Sequence, residues 1–483
     1  MGTADGKQVR LGAKVRGLRR QKGLSQVQLA ERLEISPSYL NLIEGNRRPL
    51  PAGVLIKLAQ IFQVDLHAFA TDEDARLISD LLEAFSDPMF ESYGITSTEM
   101  RELTTASPSA ARAVLALYRA FRAQRETTEA LATRITDDEQ GQTGAGLPAP
   151  PEEVNDFIQT HFNHFPDLER AAEDLWRKAH LDRDELAGGL VRHLEKAHGV
   201  TVRIARWGEE RGLVRRYDPD KRILSLSELL PTRTRTFQLA HQLALLAQQQ
   251  RIQQLSEDPA LTTDESRALA RVALANYFAG AVLMPYEPFL KAVREERYDI
   301  EVLGRRFRVG FEQVCHRLTT LRRRGEEGIP FHMIRIDVAG NISKRFSASG
   351  IRFARFSGAC PRWNIFAAFA TPGMLRLQIS RMPDGETFFC LARTVQKDSS
   401  GYSAQQAIHA LGLGCQIQHA REMVYSDGID LGNLSSATPV GVTCRTCERV
   451  DCDQRAFPSV RHRLRVDENV RTNSLYSPLS TPG

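Results

Sequence analysis

The stretch "LSQVQLAERLEISPSYLNLIEGNRRPL", residues 24–50, reads as two short helices joined by a tight turn. Ser25 stands where a hydroxyl caps a helix, and Gln28 three residues later completes a capping box. Leu29, Ala30 and Leu33 give the first helix its apolar spacing. Ser36 followed by Pro37 is a second cap with proline at the first helical position. The helix it opens turns Leu40 and Ile43 inward and stops at Gly45. Upstream, "VRGLRRQKG" is helical up to Gly23, and downstream "LPAGVLIKLAQIFQV" supplies one more amphipathic helix.

Two short helices across a turn, packed by a third and fourth, form a helix-turn-helix. Its second helix enters the major groove with N-terminal residues on base edges. Ser36, Ser38, Tyr39 and Asn41 hold those positions, and small or amide side chains suit base-edge contacts. Gln26, Arg47 and Arg48 lie where phosphates pass, so they position without specifying. Charge agrees: residues 1–70 hold eleven Lys or Arg against five acids, whereas the whole chain is only +5. A basic segment on a near-neutral remainder points to double-stranded DNA. The pattern Q-x-x-L-A, then S-x-x-Y-L-x-x-I-E-G-x-R-x-P, resembles the lambda-repressor-like (Cro/C1) family. That resemblance implies binding as a homodimer or higher homo-oligomer.

A chain of 483 residues suggests about three domains at ~150 residues each. It is 42% hydrophobic and 25% charged, as soluble globular proteins are. The sequence shows no apolar run of ~18 residues and no secretory leader. The expectation is therefore a cytoplasmic protein without a membrane partner. Its seven cysteines would be reduced there, so a cysteine cluster speaks of metal before disulfide.

The organisation expected is multidomain and mainly α, with an α+β C-terminal part. Residues 1–70 are the helix-turn-helix, 71–136 a helical connecting or dimerisation segment, and 137–152 a Gly- and Pro-rich linker. Residues 153–325 are mainly helical with a short β interval. Residues 326–483 carry β-like runs with glycine and aromatics, the C-terminal ligand-sensing domain. Within the last, "QQAIHALGLGCQIQHAREMVY" reads as one helix broken near its glycines.

The middle region contains "FQLAHQLALL", residues 237–246. A zinc peptidase helix needs two histidines four apart with a glutamate between them as base. Here His241 is followed by Gln242, and the second histidine position is Leu245. The order helix, hairpin, H-x-x-x-x helix, then A-N-x-F-A and L-M-P resembles the ImmA/IrrE-type metallopeptidase domain. That resemblance places the further ligand glutamate at Leu274. One surviving ligand cannot hold a catalytic zinc, and Gln242 has no useful basicity, so no catalytic residue is assigned. His241, Gln242, Leu245 and Leu274 leave two readings: an apolar ligand pocket, or filled core.

Near the C-terminus, Cys444, Cys447 and Cys452 form C-x2-C-x4-C. Thiolates at that spacing favour zinc or an iron–sulfur cluster, usually with four ligands. Cys360, in the turn "GACPRW", is the first choice for the fourth; Cys415, Cys390 or an exogenous group are alternatives. Cys315 reads as a buried structural thiol.

Taken together, the helix-turn-helix, the degenerate peptidase domain and "CRTCERVDCDQRAFP" resemble the short-chain fatty acyl-CoA regulator family. The resemblance implies a transcription factor with a short-chain acyl-CoA, such as propionyl-CoA, as effector. It also implies an iron–sulfur cluster, of the 4Fe–4S kind, at the matching cysteines. Arg233, Arg235, Arg305, Arg306 and Arg308 are basic candidates for the CoA phosphates. Two other classes stay open: a DNA-binding regulator with structural zinc and no metabolite sensing, and a regulatory metalloprotease.

Overall fold

A computed structural model of the chain describes residues 12, 15–16, 19, 22, 24–45, 48, 50–62, 72–93, 95–135, 150–206, 214–355, 358–396, 407–459, 474 and 476. It divides into two compact units, Met1–Phe121 and Arg122–Gly483.

In the first unit, α1 (Gln26–Leu33) and α2 (Pro37–Glu44) are separated by a turn through Glu34, whose φ is 58°. The capping box forms: Ser25 Oγ accepts from Gln28 N at 3.1 Å, and Gln28 Oε1 accepts from Ser25 N at 2.8 Å. Ser36 Oγ accepts from Tyr39 N at 3.1 Å, with Pro37 opening α2. Each cap satisfies a backbone donor that the first helical turn leaves without a partner. Helix α3 (Ala52–Phe62) closes a core of Val15, Leu29, Ala30, Leu33, Leu40, Leu58 and Phe62. Beyond it lie α4 (Asp72–Ala84), α5 (Ser97–Ala106) and α6 (Pro108–Ile135). A second capping box, between Thr96 and Glu99, starts α5.

The second unit opens with α7 (Pro150–Thr160), α8 (Pro166–Lys178) and α9 (Leu186–His198). Gly199, at φ 65°, takes the left-handed cap that ends α9. A small sheet follows, of β1 (Thr201–Ala205), β2 (Arg215–Asp218) and β3 (Ile223–Ser227). Strand β3 lies between the others, parallel to β1 and antiparallel to β2. Then come α10 (Thr232–Ala247), α11 (Gln249–Ser256), α12 (Asp264–Leu283), α13 (Tyr286–Glu295), α14 (Ile300–Arg306) and α15 (Phe311–Leu318).

After these helices the chain builds a larger sheet. Its strands are β4 (His332–Asp337), β5 (Ile342–Ser347), β6 (Arg376–Arg381), β7 (Thr387–Gln396), β8 (Ile408–Gln416) and β9 (Thr438–Pro439). Their spatial order is β5-β4-β8-β7-β6-β9, antiparallel except for β6 with β9. Because side chains alternate across a strand, the sheet divides two cores. Met333, Phe389, Leu391, Leu411, Leu413 and Cys415 join the helices' core with Phe157, Leu239 and Phe289. Ile334, Ile336, Phe388, Cys390, Ala392 and Ala410 form a separate core on the opposite face. There they meet Cys360, Trp363 and Ile365, the last on the short α16 (Asn364–Ala367).

One expectation is corrected here. "HALGLGCQ" is the strand β8, followed by a 3₁₀ turn at Ile417–Glu422, and not part of a broken helix. The period is two: Leu411, Leu413 and Cys415 face the helices, while Gly412 and Gly414 face the other core. A Cβ on Gly414 would stand 2.5 Å from His332 Nε2, so the bare backbone is what admits that ring.

Candidate functional site

The surface of α1–α2 is organised by one buried carboxylate. Glu44 accepts from Arg19 at 2.6 and 2.9 Å and from Gln26 Nε2 at 2.8 Å, with Arg16 at 3.6 Å. Burial alone would raise its carboxyl, but Arg19, Gln26 and Arg16 together hold it below its ordinary value. Gln26 also approaches Asn41 Oδ1 at 3.4 Å, linking the start of α1 to the exposed side of α2. Ser36, Ser38 and Asn41 are exposed and Tyr39 half-buried. These four therefore share the N-terminal half of α2 with Gln26 beside them. Arg48 is exposed; Arg47 lies outside the described residues.

In the second unit, His241 and Gln242 are buried on α10, and Leu274 on α12 is only 1% exposed, inside the core. Leu245 is half-buried against that core. The imidazole is engaged at Nδ1. Arg215, from β2, donates to Nδ1, and the carbonyl of Val272 is its backbone partner. Burial first, then the neighbouring guanidinium, holds His241 down at about 4, so the ring is neutral at physiological pH. Burial likewise lowers Arg215 from its ordinary value. Among the described residues no carboxylate pairs with Arg215. The guanidinium thus occupies the Nδ1 side of the His241 ring.

The basic candidates divide. Arg306 pairs with Glu295 and Glu296, and Arg308 with Asp184 at 2.7 Å. Arg233 is exposed, while Arg235 is half-buried with an Nε that has no hydrogen-bond partner.

The cysteine loop follows β9 along the edge of the larger sheet. Cys360 N donates to Val442 O at 3.0 Å, and Trp363 Nε1 to Gly441 O at 3.0 Å, seating Cys360 against the loop. Burial raises the Cys360 thiol, and the neighbouring Cys444 and Cys447 raise it further. The structure thus draws Cys360, Cys444 and Cys447 into one electrostatic neighbourhood. Cys390 lies beneath the sheet, 3.6 Å from His332 Nε2, and Cys415 faces the opposite core beside Met423. Cys315 is fully buried on α15. Among the described residues no group of three or more His, Cys, Asp and Glu stands in a metal-holding arrangement. Ala456 N–H donates to Cys444 Sγ at 3.5 Å.

Comparison with known proteins follows this division. Residues 10–71 match a helix-turn-helix domain, and 195–319 the IrrE N-terminal-like domain. Residues 320–476 match the C-terminal domain of short-chain fatty acyl coenzyme A regulators. The HTH-type transcriptional regulator PrpR of Mycobacterium tuberculosis is 40% identical over 96% of this chain and 95% of its own length. The chain belongs to the short-chain fatty acyl-CoA regulator family. RamB, an HTH-type transcriptional regulator of the same organism, is 40% identical over 96% of this chain and 98% of its own. The propionyl-CoA carboxylase regulator of Cereibacter sphaeroides is 41% identical over 95% of this chain and 96% of its own. A solved Mycobacterium tuberculosis transcriptional regulator aligns with TM-score 0.66 and 42% identity, covering 68% of this chain and all of that one.

This chain thus carries an IrrE-like domain, a protease-type family, while its relatives are named as transcriptional regulators. In this regulator two side chains escaped the sequence reading. Arg215 is 26 positions from His241, on a strand whose own pattern gives no hint of that pairing. Arg455 sits just after the cysteine motif, and its contacts emerge only once the loop is folded.

Proposed function

We propose that this regulator binds double-stranded DNA as a homodimer, in the cytoplasm, and changes its DNA occupancy when a short-chain acyl-CoA binds. Arg47, Arg48 and Gln26 would hold phosphates, while Ser36, Ser38, Tyr39 and Asn41 would read bases. The observation that carries the DNA reading is the exposed N-terminal half of α2, fixed to α1 through Glu44 and Gln26.

For the effector, the supporting observation is Arg215: a half-buried cation whose partner is a neutral imidazole. Such a group favours a ligand that brings a carbonyl oxygen or an anion. The acyl end would lie along His241, Gln242, Leu245 and Leu274. A ligand alters DNA binding only if it prefers one arrangement of the chain over another. No proteolysis is assigned, because Arg215 donates to His241 Nδ1, Gln242 offers no general base, and Leu245 and Leu274 supply no zinc ligands.

Cys444, Cys447, Cys452 and Cys360 would hold an iron–sulfur cluster or zinc. Bound there, such a group supplies a structural cross-link, and a cluster also a redox-sensitive one.

Titrating the DNA complex with propionyl-CoA, acetyl-CoA and free CoA tests the effector. A shift in DNA affinity specific to an acyl-CoA, lost in Arg215→Met, is expected. Tight DNA binding indifferent to all three ligands would instead favour a regulator with structural zinc and no metabolite sensing.

A further inference from the structure

Helix α6 has one packed face and one open face. Ala111, Leu115 and Tyr118 are buried. Tyr118 Oη donates to Asp87 Oδ2 at 2.9 Å, and Arg119 Nη2 to Asp80 Oδ2 at 3.4 Å, which ties that side to α4 and the segment after it. Elsewhere round the same turns, Leu117 is 72% exposed and Phe121 39%, with Ala110 and Ala113 exposed beside them. Single exposed apolar side chains are ordinary, but these recur in register.

The sequence carries that register to the end of the helix. Val114, Leu117, Phe121, Gln124, Thr128, Leu131 and Ile135 follow one another at alternating steps of three and four, the spacing of heptad a and d positions. At ~100° per residue they share an arc of about 100° in which residues 108–135 place no Lys, Arg, Asp or Glu. A helix that covers a core needs one apolar stripe, and α6 has two.

Four considerations favour a second copy of this chain as the occupant of the open stripe. Val114, Thr128 and Ile135 are β-branched at a, and Leu117 and Leu131 stand at d, the combination that favours two parallel strands. In such a pair the flanking positions meet as Ala113 with Tyr118, Ala120 with Arg125 and Thr127 with Ala132, so no like charges oppose one another. Seven seam side chains from each copy, at roughly 60–120 Å² apiece, bury on the order of 1,200 Å², the lower end of a stable specific interface. A parallel pair also keeps both helix-turn-helix domains at one end of the seam, as two half-sites on one duplex require. An antiparallel pair would set them at opposite ends of a helix ~42 Å long.

We propose that α6 pairs with α6 of a second copy as a parallel two-stranded coiled coil along this seam, with the polar Gln124 and Thr128 at its centre setting the register. This rests on the reading of the protein as a DNA-binding homodimer and names the surface that forms it.

The test is sedimentation velocity of the full-length protein over a range of concentrations, with cross-linking beside it. Leu117→Glu lies away from the packed face and should raise the dimer Kd at least about 30-fold. Leu117→Cys should cross-link into dimers on mild oxidation. Ala116→Cys, exposed on the other side of the helix, should stay at the background that the wild type's own cysteines give. Far-UV circular dichroism checks that each variant is folded, and the cysteine pair carries the test if the glutamate variant is not. A Leu117→Glu protein that dimerises like wild type, with Leu117→Cys cross-linking no better than Ala116→Cys, would overturn the seam and leave the homodimer standing on another surface. A wild type that is monomeric at every concentration would overturn the homodimer and this proposal together.

Discussion

The Arg317 guanidinium meets the Glu169 carboxylate at 2.5 and 2.9 Å inside the second unit, where both side chains are 2% exposed or less. The pair joins α15 to α8. Arg317 Nε also donates to Met284 O at 2.9 Å, and Tyr277 donates to Glu169 at 2.6 Å. Burial opposes ionisation of Glu169, yet Arg317 and Tyr277 hold its carboxyl below the ordinary value. Removing one partner leaves an uncompensated buried charge. Glu169→Gln and Arg317→Met should each destabilise the unit by roughly 3–5 kcal/mol. The double variant should lose less than the sum. Urea unfolding followed by near-ultraviolet circular dichroism measures both, and additive losses would show that the two groups act separately.

Acid should weaken the second unit before it protonates carboxylates. His241 is held at about 4 against an ordinary 6.5. His332, wholly buried, is pushed down to about 3. Below about pH 6.5 the unfolded chain takes up protons that the folded state refuses, so stability falls from there to about pH 4. For His241 alone the loss approaches roughly 3 kcal/mol across that window. His241→Gln should flatten this limb when urea midpoints are compared at pH 7, 6 and 5. An unchanged slope would mean that the imidazole is not held neutral.

Gly414 should tolerate no side chain. A Cβ there meets His332 Nε2 at 2.5 Å and Phe389 O at 2.7 Å, and the second is backbone that cannot move aside. Gly414→Ala should cost about 1–3 kcal/mol or more by overpacking. Gly412→Ala, whose nearest contact is Ile334 Cγ2 at 3.1 Å, should cost less. Thermal unfolding of the two variants side by side tests the ranking.

On α2, base reading and phosphate contact should separate by salt. Asn41→Ala should reduce discrimination between operator and random DNA by about 1–3 kcal/mol. Arg48→Ala should weaken both alike and lower the salt slope of binding by about 1. Fluorescence anisotropy at several salt concentrations distinguishes them. A loss of discrimination in Arg48→Ala would move it from the backbone to the bases.

Much of this protein is legible residue by residue. The Ser25–Gln28 capping box, the Ser36–Pro37 cap and the Gly199 stop are local devices, and each forms as its own few residues dictate. The alternation in "HALGLGCQ" is equally local but was masked. Glycine at every second position breaks the apolar run and imitates an interrupted helix until the two faces of β8 are seen.

By itself the sequence determined the helix-turn-helix, the hairpin of the middle region, the lost base at Gln242 and lost zinc ligands at Leu245 and Leu274, and the cysteine triplet. Caps, turns and ligand spacings are short-range, so physics acts on neighbours in the chain. Only the tertiary structure decided that Arg215 donates to the imidazole of His241, that Arg317 pairs with Glu169 across 148 positions, that Cys360 joins the loop of Cys444 and Cys447, and that Arg455 is buried there on the carbonyls of Cys444 and Cys447. Those relations depend on which side chains burial brings together. Desolvation then sets their charge, and no spacing in the sequence encodes it.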